Sequence, residues 1–387
     1  MTATMPAPAT VTAERLISAD SHVRMTHEQV KAYMPTTLHE AYDNAATEYE
    51  ARMSKGTGAI NRAGAMQRTT EQLAADRQAA RKAQMEQIAA SNAAFSRAGY
   101  WDPVERLKDM DTDGVEAEVL YSEVSAFRYL SDVKGGVAEA VQGFNNALYE
   151  FAQVDPARLI VSYQIPIHDI DLAVAEVQRV AALGAHSLQL PVFPAELGQL
   201  DYYHPRYEPL FATIQEIGLP ICCHIGLKLS LDELAERDPT PNKGVMVPMT
   251  PLASAEAFGM LIMGGVFERF PNLKVVFVEP GLTWIGWWLD TVDDMVTRQG
   301  YKFPAITDKP SDYFRRNIFL TFIDEKLGLE RMRDVLGVSQ LMWSTDFPHP
   351  VTSWPRSREI IEEQFVNIPP DEREMMLSGN ASRVWGL

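Results

Sequence analysis

The sequence predicts an α/β fold, a distorted TIM-type (β/α)8 barrel that forms a single domain over residues 1–387. Eight short apolar runs recur along the chain, and each is followed by a segment with a helical pattern. The runs are apolar almost without alternation, which is typical of parallel strands buried on both faces. Strands and helices that alternate in this way indicate βαβ units. Eight units favour a closed barrel, and a doubly wound open sheet is the alternative.

The eight predicted strands follow one another at regular intervals along the chain. They are Leu16–Ala19, Ala117–Tyr121, Leu159–Ile165, Ser187–Val192, Pro220–Ile225, Lys274–Glu279, Asn317–Phe322 and Gln340–Thr345. The predicted helices between them are Val137–Val154, Leu172–Leu183, Tyr207–Ile217, Ala253–Phe270, Thr283–Arg298 and Lys326–Leu336.

One long segment interrupts this alternation. Residues 26–103 are rich in Ala, Gln, Met, Arg and Lys and contain no strand-like run, and Thr70–Ala94 is predicted to form one or two amphipathic helices. An insertion after the first strand of a barrel lies on the rim where active sites form. We therefore expect it to act as a lid, to supply substrate contacts or to form a dimer contact. A second insertion, Lys228–Thr250, follows the fifth strand.

The charge balance limits the partners of this protein. The chain has 35 basic and 52 acidic residues, a net charge of -17, and such a surface repels the phosphates of nucleic acids. The two cysteines, Cys222 and Cys223, are adjacent and cannot form an ordinary disulfide. Residues 1–13 lack the charged start and apolar middle of a signal peptide, and no apolar run is long enough to span a membrane. We expect a cytoplasmic protein without nucleic-acid or membrane partners.

Acidic and imidazole side chains stand at the ends of three predicted strands. Asp20 and His22 are two residues apart, so both side chains point to one side of the first strand. Alone, this pattern is common and equally fits a capping aspartate beside an unrelated histidine. His224 ends the fifth strand and Asp346 the eighth, where a core histidine and a helix cap are the alternatives. Because the carboxyl ends of barrel strands meet, the four together favour a single divalent metal site.

Five sequence motifs resemble those of a known family. The chain resembles the amidohydrolase superfamily, in particular the amidohydrolase-related branch with the aminocarboxymuconate-semialdehyde decarboxylase-like enzymes, from Leu16 to Leu387. The motifs are ADSHV, PICCHIG, FPNLKVVFVEPGLTW, MWSTDFPHP and GNASRVWGL. The resemblance implies a distorted barrel with one Zn2+ or Mn2+. It assigns the metal to Asp20, His22, His224 and Asp346.

Two departures from the family pattern affect the predicted chemistry. Many relatives begin with His-x-His or Glu-x-His, whereas this chain has Asp20 before His22. A carboxylate in place of an imidazole shifts the preference toward Mn2+ or Fe2+, with Zn2+ still a candidate. Glu279 stands where many decarboxylases of the family have an acid/base histidine. We expect Glu279 to act as a base, a ligand or a hydrogen-bond acceptor that orients a histidine.

The same ligands serve two reactions. In hydrolysis, a metal-activated water attacks a carbonyl and Asp346 passes a proton to the leaving group. In non-oxidative decarboxylation, Asp346 protonates the carbon that loses CO2. The absence of the family histidine at Glu279 favours hydrolysis as the predicted function. A third hypothesis, from another class, is a non-catalytic metal-binding barrel.

Four further residues are candidates for substrate contact or proton transfer. Arg24 can bind a substrate carboxylate, or else form a structural salt bridge. Trp284 and Trp343 can line an aromatic pocket, and rim packing is the alternative. His349, between two prolines, is a candidate second proton relay. We expect a small aromatic or carboxylate-bearing substrate, and the family relatives suggest a homodimer.

Overall fold

Eight parallel strands form one sheet in the order β1 to β8. The computed structural model describes residues 14–59, 95–226, 228–240 and 244–387, with the backbone alone at 52–59 and 229. All residues of the eight strands are buried, so the prediction of strands covered on both faces is confirmed. The strands are β1 Ile17–Val23, β2 Ala117–Ser122, β3 Leu159–Gln164, β4 Ser187–Gln189, β5 Ile221–His224, β6 Val275–Val278, β7 Ile318–Phe322 and β8 Leu341–Trp343.

The sheet closes between its first strand and the segment that follows its last strand. Ser21 forms an isolated parallel bridge with Phe347. The His22 backbone N–H donates to Phe347 O at 2.6 Å, and the Asp346 N–H donates to Asp20 O at 2.9 Å. The barrel prediction is therefore confirmed over the open sheet. The same two hydrogen bonds place Asp346 beside Asp20.

Helices surround the barrel. They are α1 His27–Ala32, α2 His39–Ala59, α3 Pro103–Asp113, α4 Ser125–Ser131, α5 Val137–Ala152, α6 Ile170–Ala182, α7 Glu208–Ile217, α8 Leu229–Arg237, α9 Ser254–Met263, α10 Val266–Arg269, α11 Thr283–Gln299, α12 Pro310–Asn317, α13 Lys326–Leu336, α14 Ser357–Gln364, α15 Pro370–Glu374 and α16 Asn380–Trp385, with a π-helical turn at Met375–Gly379. None of the helices in the described residues is long and apolar enough to cross a membrane.

One predicted helix is divided in two. The apolar pattern predicts a continuous helix over Ala253–Phe270, whereas the structure has α9 and α10 on either side of Gly264 and Gly265. Gly265 has a φ of 71°, and a Cβ atom there would lie 2.4 Å from the carbonyl oxygen of Ala305. Only glycine fits this left-handed and crowded position. The helix therefore ends where the chain passes close to its neighbour.

The described part of the predicted insertion is helical. It contains α1, α2 and a short 3-10 helix at Ala98–Tyr100, and the predicted helices at Thr70–Ala94 lie outside the described residues. Thr26 begins α1 with a capping box, in which the Thr26 hydroxyl accepts from the Gln29 N–H and the Gln29 side chain accepts from the Thr26 N–H. α1 packs against α5 on the outside of the barrel. The described residues of the second insertion form α8 and a 3-10 turn at Val247–Met249, and another 3-10 turn, Pro251–Ala253, follows the insertion.

The C-terminal helix covers the end of the barrel where the strands begin. Trp385 of α16 packs in the barrel interior with Ile17, Val119 and Cys222. Its indole N–H donates to Ser187 Oγ at the start of β4, and His186 Nδ1 lies 2.7 Å from its carbonyl oxygen. The entry to the barrel interior from this end is thus filled with side chains. Polar side chains gather at the opposite end, where the strands finish.

Candidate metal centre

A β-bulge in β1 shapes the first part of the site. Ser18 pairs with Glu118 and Ser21 with Leu120, so two residues of β1, Ala19 and Asp20, oppose one residue of β2. The Ser18 hydroxyl donates to the Asp20 carbonyl at 2.8 Å and so stabilises the bulge. Bulges beside active sites change the direction of side chains. Here the bulge falls at Asp20, the first predicted ligand.

The structure brings the four predicted ligands together. His22 Nε2 lies 3.1 Å from His224 Nε2, 3.2 Å from Asp346 Oδ1 and 3.8 Å from Asp20 Oδ1. His224 Nε2 is also 3.6 Å from Asp20 Oδ1. Bonds of about 2.1 Å to one ion place neighbouring ligand atoms about 3.0–3.4 Å apart. The side chains of three strand ends therefore converge on one point.

The burial of Asp20 provides a test of whether these residues fit a metal ion. Asp20 is fully buried, and neither of its carboxylate oxygens has a hydrogen-bond partner among the described residues. A buried carboxylate without a partner costs several kcal/mol, and a bound cation removes that cost. Imidazole nitrogens with carboxylate oxygens are ligands for Zn2+, Mn2+ and Fe2+. The cluster fits one divalent metal ion, which would be held by Asp20, His22, His224 and Asp346.

Two residues of the site have left-handed backbones. Glu279, directly after β6, has a φ of 59°, and Asp346, after β8, has a φ of 51°. Side chains other than glycine adopt this region at a cost of about 1–3 kcal/mol, and such residues are concentrated at functional sites. The Glu279 N–H donates to Thr321 Oγ1 at 2.9 Å, which holds the turn. Glu279 Oε2 then lies 3.8 Å from His224 Nε2, at the edge of the metal cluster.

A second group of polar side chains adjoins the cluster. His349 Nδ1 lies 2.8 Å from Asp346 Oδ1, and His349 Nε2 lies 3.2 Å from Glu123 Oε1. Glu123 Oε1 is also 3.4 Å from His22 Nδ1 and accepts a hydrogen bond from the Tyr100 hydroxyl at 2.5 Å. The sequence prediction missed Glu123 and Tyr100. Glu123 carries one usable signal, a carboxylate directly after β2, whereas nothing in the sequence around Tyr100 marks it.

Carboxylates set the charge of two site histidines. Burial disfavours the charged form of His224, but Asp20 and Glu279 outweigh burial and raise its pKa to about 9. Burial likewise opposes the protonation of His349, and the carboxylates of Asp346 and Glu123 raise its pKa to about 11. Without a metal ion, protons on these two rings compensate only part of the buried negative charge.

The pKa values of two carboxyl groups of the site, Glu279 and Asp346, are shifted in opposite directions. Burial and the neighbouring carboxylates of Asp346 and Asp20 raise the pKa of Glu279 to about 8. Burial alone would also raise the pKa of Asp346, but its contacts with His22 and His349 lower it to about 2. Pairs of acids with divergent pKa values are typical of active sites.

The metal cluster opens into a cavity of about 480 Å³. Glu279, Asp346 and His349 form its inner wall, and Asp324 and Glu325 add further carboxylates. No Lys or Arg is among the described residues that line it. The other walls are mainly apolar and are formed by Ile225, Val247, Thr250, Pro251, Gly281, Phe322, Ile323, Pro350 and Val351.

The predicted substrate-binding residues lie elsewhere. Arg24 lines a different cavity, of about 550 Å³, which also contains Glu123 and Tyr100. Its guanidinium forms no ion pair with a described residue, so the structural salt bridge is absent in that part of the chain. Trp284 and Trp343 line neither cavity. Neither lining supports a substrate role for these two side chains, and that role stays a prediction beside the alternative of packing.

The two tryptophans have packing roles that explain this placement. Trp343 is fully buried in the layer between barrel and helices. Trp284 stacks on Phe258, with ring centroids 5.7 Å apart, and its indole N–H donates to Pro280 O at 2.7 Å. Both indoles act as large apolar surfaces between the layers.

A closed barrel with buried Asp and His side chains converging at its strand ends defines a metal-binding (β/α)8 barrel. The chain belongs to the amidohydrolase family, whose family model, described as Amidohydrolase, matches residues 19–387. The resemblance seen in the sequence motifs is therefore confirmed.

Three known proteins illustrate the relationship. The chain is 22% identical over 298 residues to 2-amino-3-carboxymuconate-6-semialdehyde decarboxylase of Dictyostelium discoideum, covering 74% of this chain and 77% of that protein. Its fold is similar to that of 5-carboxyvanillate decarboxylase from Sphingomonas paucimobilis, with a TM-score of 0.68, 21% identity and coverage of 97% and 100%. It is also similar to a dihydroxybenzoic acid decarboxylase from Polaromonas with bound manganese, with a TM-score of 0.67, 18% identity and 97% coverage of both chains.

Proposed function

We propose that this protein is a metal-dependent carboxy-lyase that removes CO2 from a small aromatic or unsaturated carboxylic acid without an oxidant. The named relatives are decarboxylases, two of them of aromatic acids, and one is described with bound manganese. These names favour decarboxylation over hydrolysis, the reaction that the sequence position of Glu279 favours. The main prediction from the sequence is corrected in this respect. The enzyme class predicted as its alternative is the better supported one.

The charge of the cavity at the metal cluster carries the proposal. Its described lining contains four carboxyl groups and no Lys or Arg. Its carboxylates repel an acid substrate, whereas a metal ion held by the cluster would attract the substrate carboxylate. The bond between the carboxylate and the rest of the substrate is then held beside Glu279 and Asp346. The apolar walls accommodate the remaining ring or unsaturated chain.

The residues divide the chemistry between them. A metal ion held by the cluster would supply positive charge for the substrate carboxylate and any neighbouring hydroxyl. Glu279, on the cavity wall, donates a proton to the carbon that carries the carboxylate, and the C–C bond breaks with release of CO2. The new C–H bond takes an electron pair from the ring or double bond, the electron pair of the broken C–C bond restores it, and Glu279 regains its proton from solvent. Asp346 acts as ligand, and His349 holds it in place through the 2.8 Å contact.

The test compares CO2 release with hydrolysis in the same preparation of the protein. Manganese-loaded protein is incubated with hydroxybenzoates and unsaturated acids, and separately with esters, lactones and amides. We expect CO2 release from at least one acid and no hydrolysis of the second group. The variant Asp20→Asn, depleted of metal, serves as the control and should release no CO2. Hydrolysis without CO2 release, or turnover equal to the control, would refute the proposal.

Hydrolysis is kept as a second candidate because of the carboxyl group of Glu279, at a position where the family resemblance implies a histidine in many decarboxylases. A carboxylate there can take a proton from an attacking water. The variants Glu279→Gln and Glu279→His separate the candidates. In a decarboxylase, the histidine variant keeps a proton donor and should retain more CO2 release than the glutamine variant. If neither variant changes CO2 release and both lose ester cleavage, hydrolysis is the function.

We also propose that, apart from the metal ion, a small-molecule substrate is the only binding partner required for activity. The acidic surface, with 52 acidic against 35 basic residues, supports the expectation of no nucleic-acid partner. The homodimer stays a prediction from the family resemblance. Light scattering during size-exclusion chromatography measures it, and a mass of 43.3 kDa would contradict it.

A further inference from the structure

Glu123 occupies a central position between two histidines of the site. Its Oε1 atom lies 3.4 Å from His22 Nδ1 and 3.2 Å from His349 Nε2. The two rings are themselves close, with centroids 3.9 Å apart. Each ring uses its other nitrogen toward the metal cluster, since His22 Nε2 and His349 Nδ1 both lie within 3.2 Å of Asp346 Oδ1. Glu123 therefore faces both histidines from the side away from the metal.

The inserted segment fixes the position of Glu123. The Tyr100 hydroxyl donates to Glu123 Oε1, and the carbonyl of Tyr100 accepts from the Arg24 N–H at 2.8 Å, directly after β1. The ring of Phe95 also lies 5.5 Å from that of His349. The end of the 26–103 insertion thus reaches the metal cluster and holds Glu123 through the hydrogen bond from Tyr100.

The chemistry of imidazole gives Glu123 a specific task. A neutral histidine carries one proton, on either ring nitrogen, and only the other nitrogen can bind a metal. His22 Nδ1 is buried, and its proton would face the carboxylate of Glu123. An acceptor at Nδ1 favours the tautomer with the proton there, which leaves Nε2 free for the metal.

We propose that Glu123 is a positioning residue that selects the Nδ1–H tautomer of His22 and orients His349 against Asp346. The inference rests on the proposed metal role of His22 but not on the reaction. A second cation between His22, Glu123 and His349 is the competing explanation, because their ligand atoms also lie within 4.8 Å of one another. Against it, the Tyr100 hydroxyl already donates to Glu123 Oε1, and His349 Nε2 lies at ordinary hydrogen-bond distance from that atom.

The test uses two substitutions of Glu123 and one matched control. Glu123→Met removes the acceptor, and Glu123→Gln keeps an acceptor oxygen without the charge. The control, Glu28→Gln, changes an exposed glutamate that lines the same cavity as Glu123, the one that also contains Arg24. The dissociation constant for Mn2+ is measured by competition with a chelator. In the metal-free protein, 15N NMR of labelled histidine reports the tautomer of His22, and thermal unfolding reports stability.

We expect Glu123→Met to weaken Mn2+ binding about 10–100-fold, with a mixture of His22 tautomers and an unchanged unfolding midpoint. Glu123→Gln should retain part of the affinity, and Glu28→Gln all of it. Wild-type affinity and tautomer in Glu123→Met would overturn the proposal, as would an equal loss in Glu28→Gln. If wild type binds two Mn2+ ions per chain and Glu123→Met binds one, the proposal is overturned in favour of a second cation site at Glu123. All readouts are made without substrate, so a protein that releases no CO2 can still pass this test.

Discussion

His224 Nε2 lies 3.1 Å from His22 Nε2, although 202 residues separate them in the chain. Two imidazole nitrogens with lone pairs cannot approach so closely unless a proton or a cation lies between them. The nearby carboxylate of Asp20 attracts the same positive charge. The pair therefore lies at the centre of the candidate metal site.

The histidine pair gives the first prediction. His224→Ala removes one of two nitrogen ligands, so metal content after dialysis should fall well below one ion per chain. Elemental analysis measures it. His204→Ala, a histidine outside the cluster, is the control and should keep the wild-type stoichiometry. An unchanged metal content in His224→Ala would remove His224 from the ligands.

A second prediction concerns Asp346. Asn has the shape of Asp and tolerates its left-handed backbone, with a φ of 51°, so Asp346→Asn should fold normally. It lacks the negative charge needed by the metal and by His349. We expect kcat/KM for CO2 release to fall by about 10²–10⁴-fold, with an unchanged circular dichroism spectrum. Rates like those of the wild type would show that this carboxylate has no role in the reaction.

The effect of Asp20→Asn on stability should differ between the metal-free and the metal-loaded protein. Asp20→Asn removes a buried negative charge whose oxygens have no hydrogen-bond partner among the described residues. The metal-free variant should therefore unfold at a higher temperature than metal-free wild type. Excess Mn2+ at about 100 times its dissociation constant should stabilise the wild type by about 2.7 kcal/mol and the variant by much less. Equal metal-induced shifts in the two proteins would contradict the ligand assignment.

A buried ion pair supports the first ligand strand. Arg106 is fully buried, and its Nε donates to Glu118 Oε2 at 2.5 Å while its Nη1 donates to the carbonyl of His22 at 2.9 Å. Glu118→Gln leaves the guanidinium without its counter-charge, and we expect the free energy of unfolding to fall by about 3–5 kcal/mol. Urea denaturation of the metal-free protein measures this loss.

The control for that pair is the apolar double variant Arg106→Met with Glu118→Leu. It removes both charges, so it should recover much of the stability lost in Glu118→Gln. It also removes the hydrogen bond to His22 and should bind Mn2+ more weakly than wild type. A double variant less stable than Glu118→Gln would contradict the ion-pair explanation.

Much of the fold could be predicted because strands buried on both faces leave continuous apolar runs. All eight predicted strands overlap the observed ones, and the prediction of Lys326–Leu336 as a helix has the observed bounds. The prediction of one helix over Ala253–Phe270 was wrong in its middle. The helix is interrupted at Gly265 because the carbonyl of Ala305 lies close to this residue. A contact between segments distant in sequence leaves no mark in the local pattern.

The site divides in the same way. Asp20, His22, His224 and Asp346 could be predicted as neighbours because the carboxyl ends of parallel barrel strands meet at one end. Glu123 has one signal in the sequence, its position directly after β2, but its contact with Tyr100 could not be predicted, since that contact depends on how the insertion folds back over β1 and β2. For Trp343, the sequence determined that the side chain is buried, and only the tertiary structure decided where. Met342 points into the barrel and Trp343 toward the helices, and an apolar run does not distinguish two buried faces.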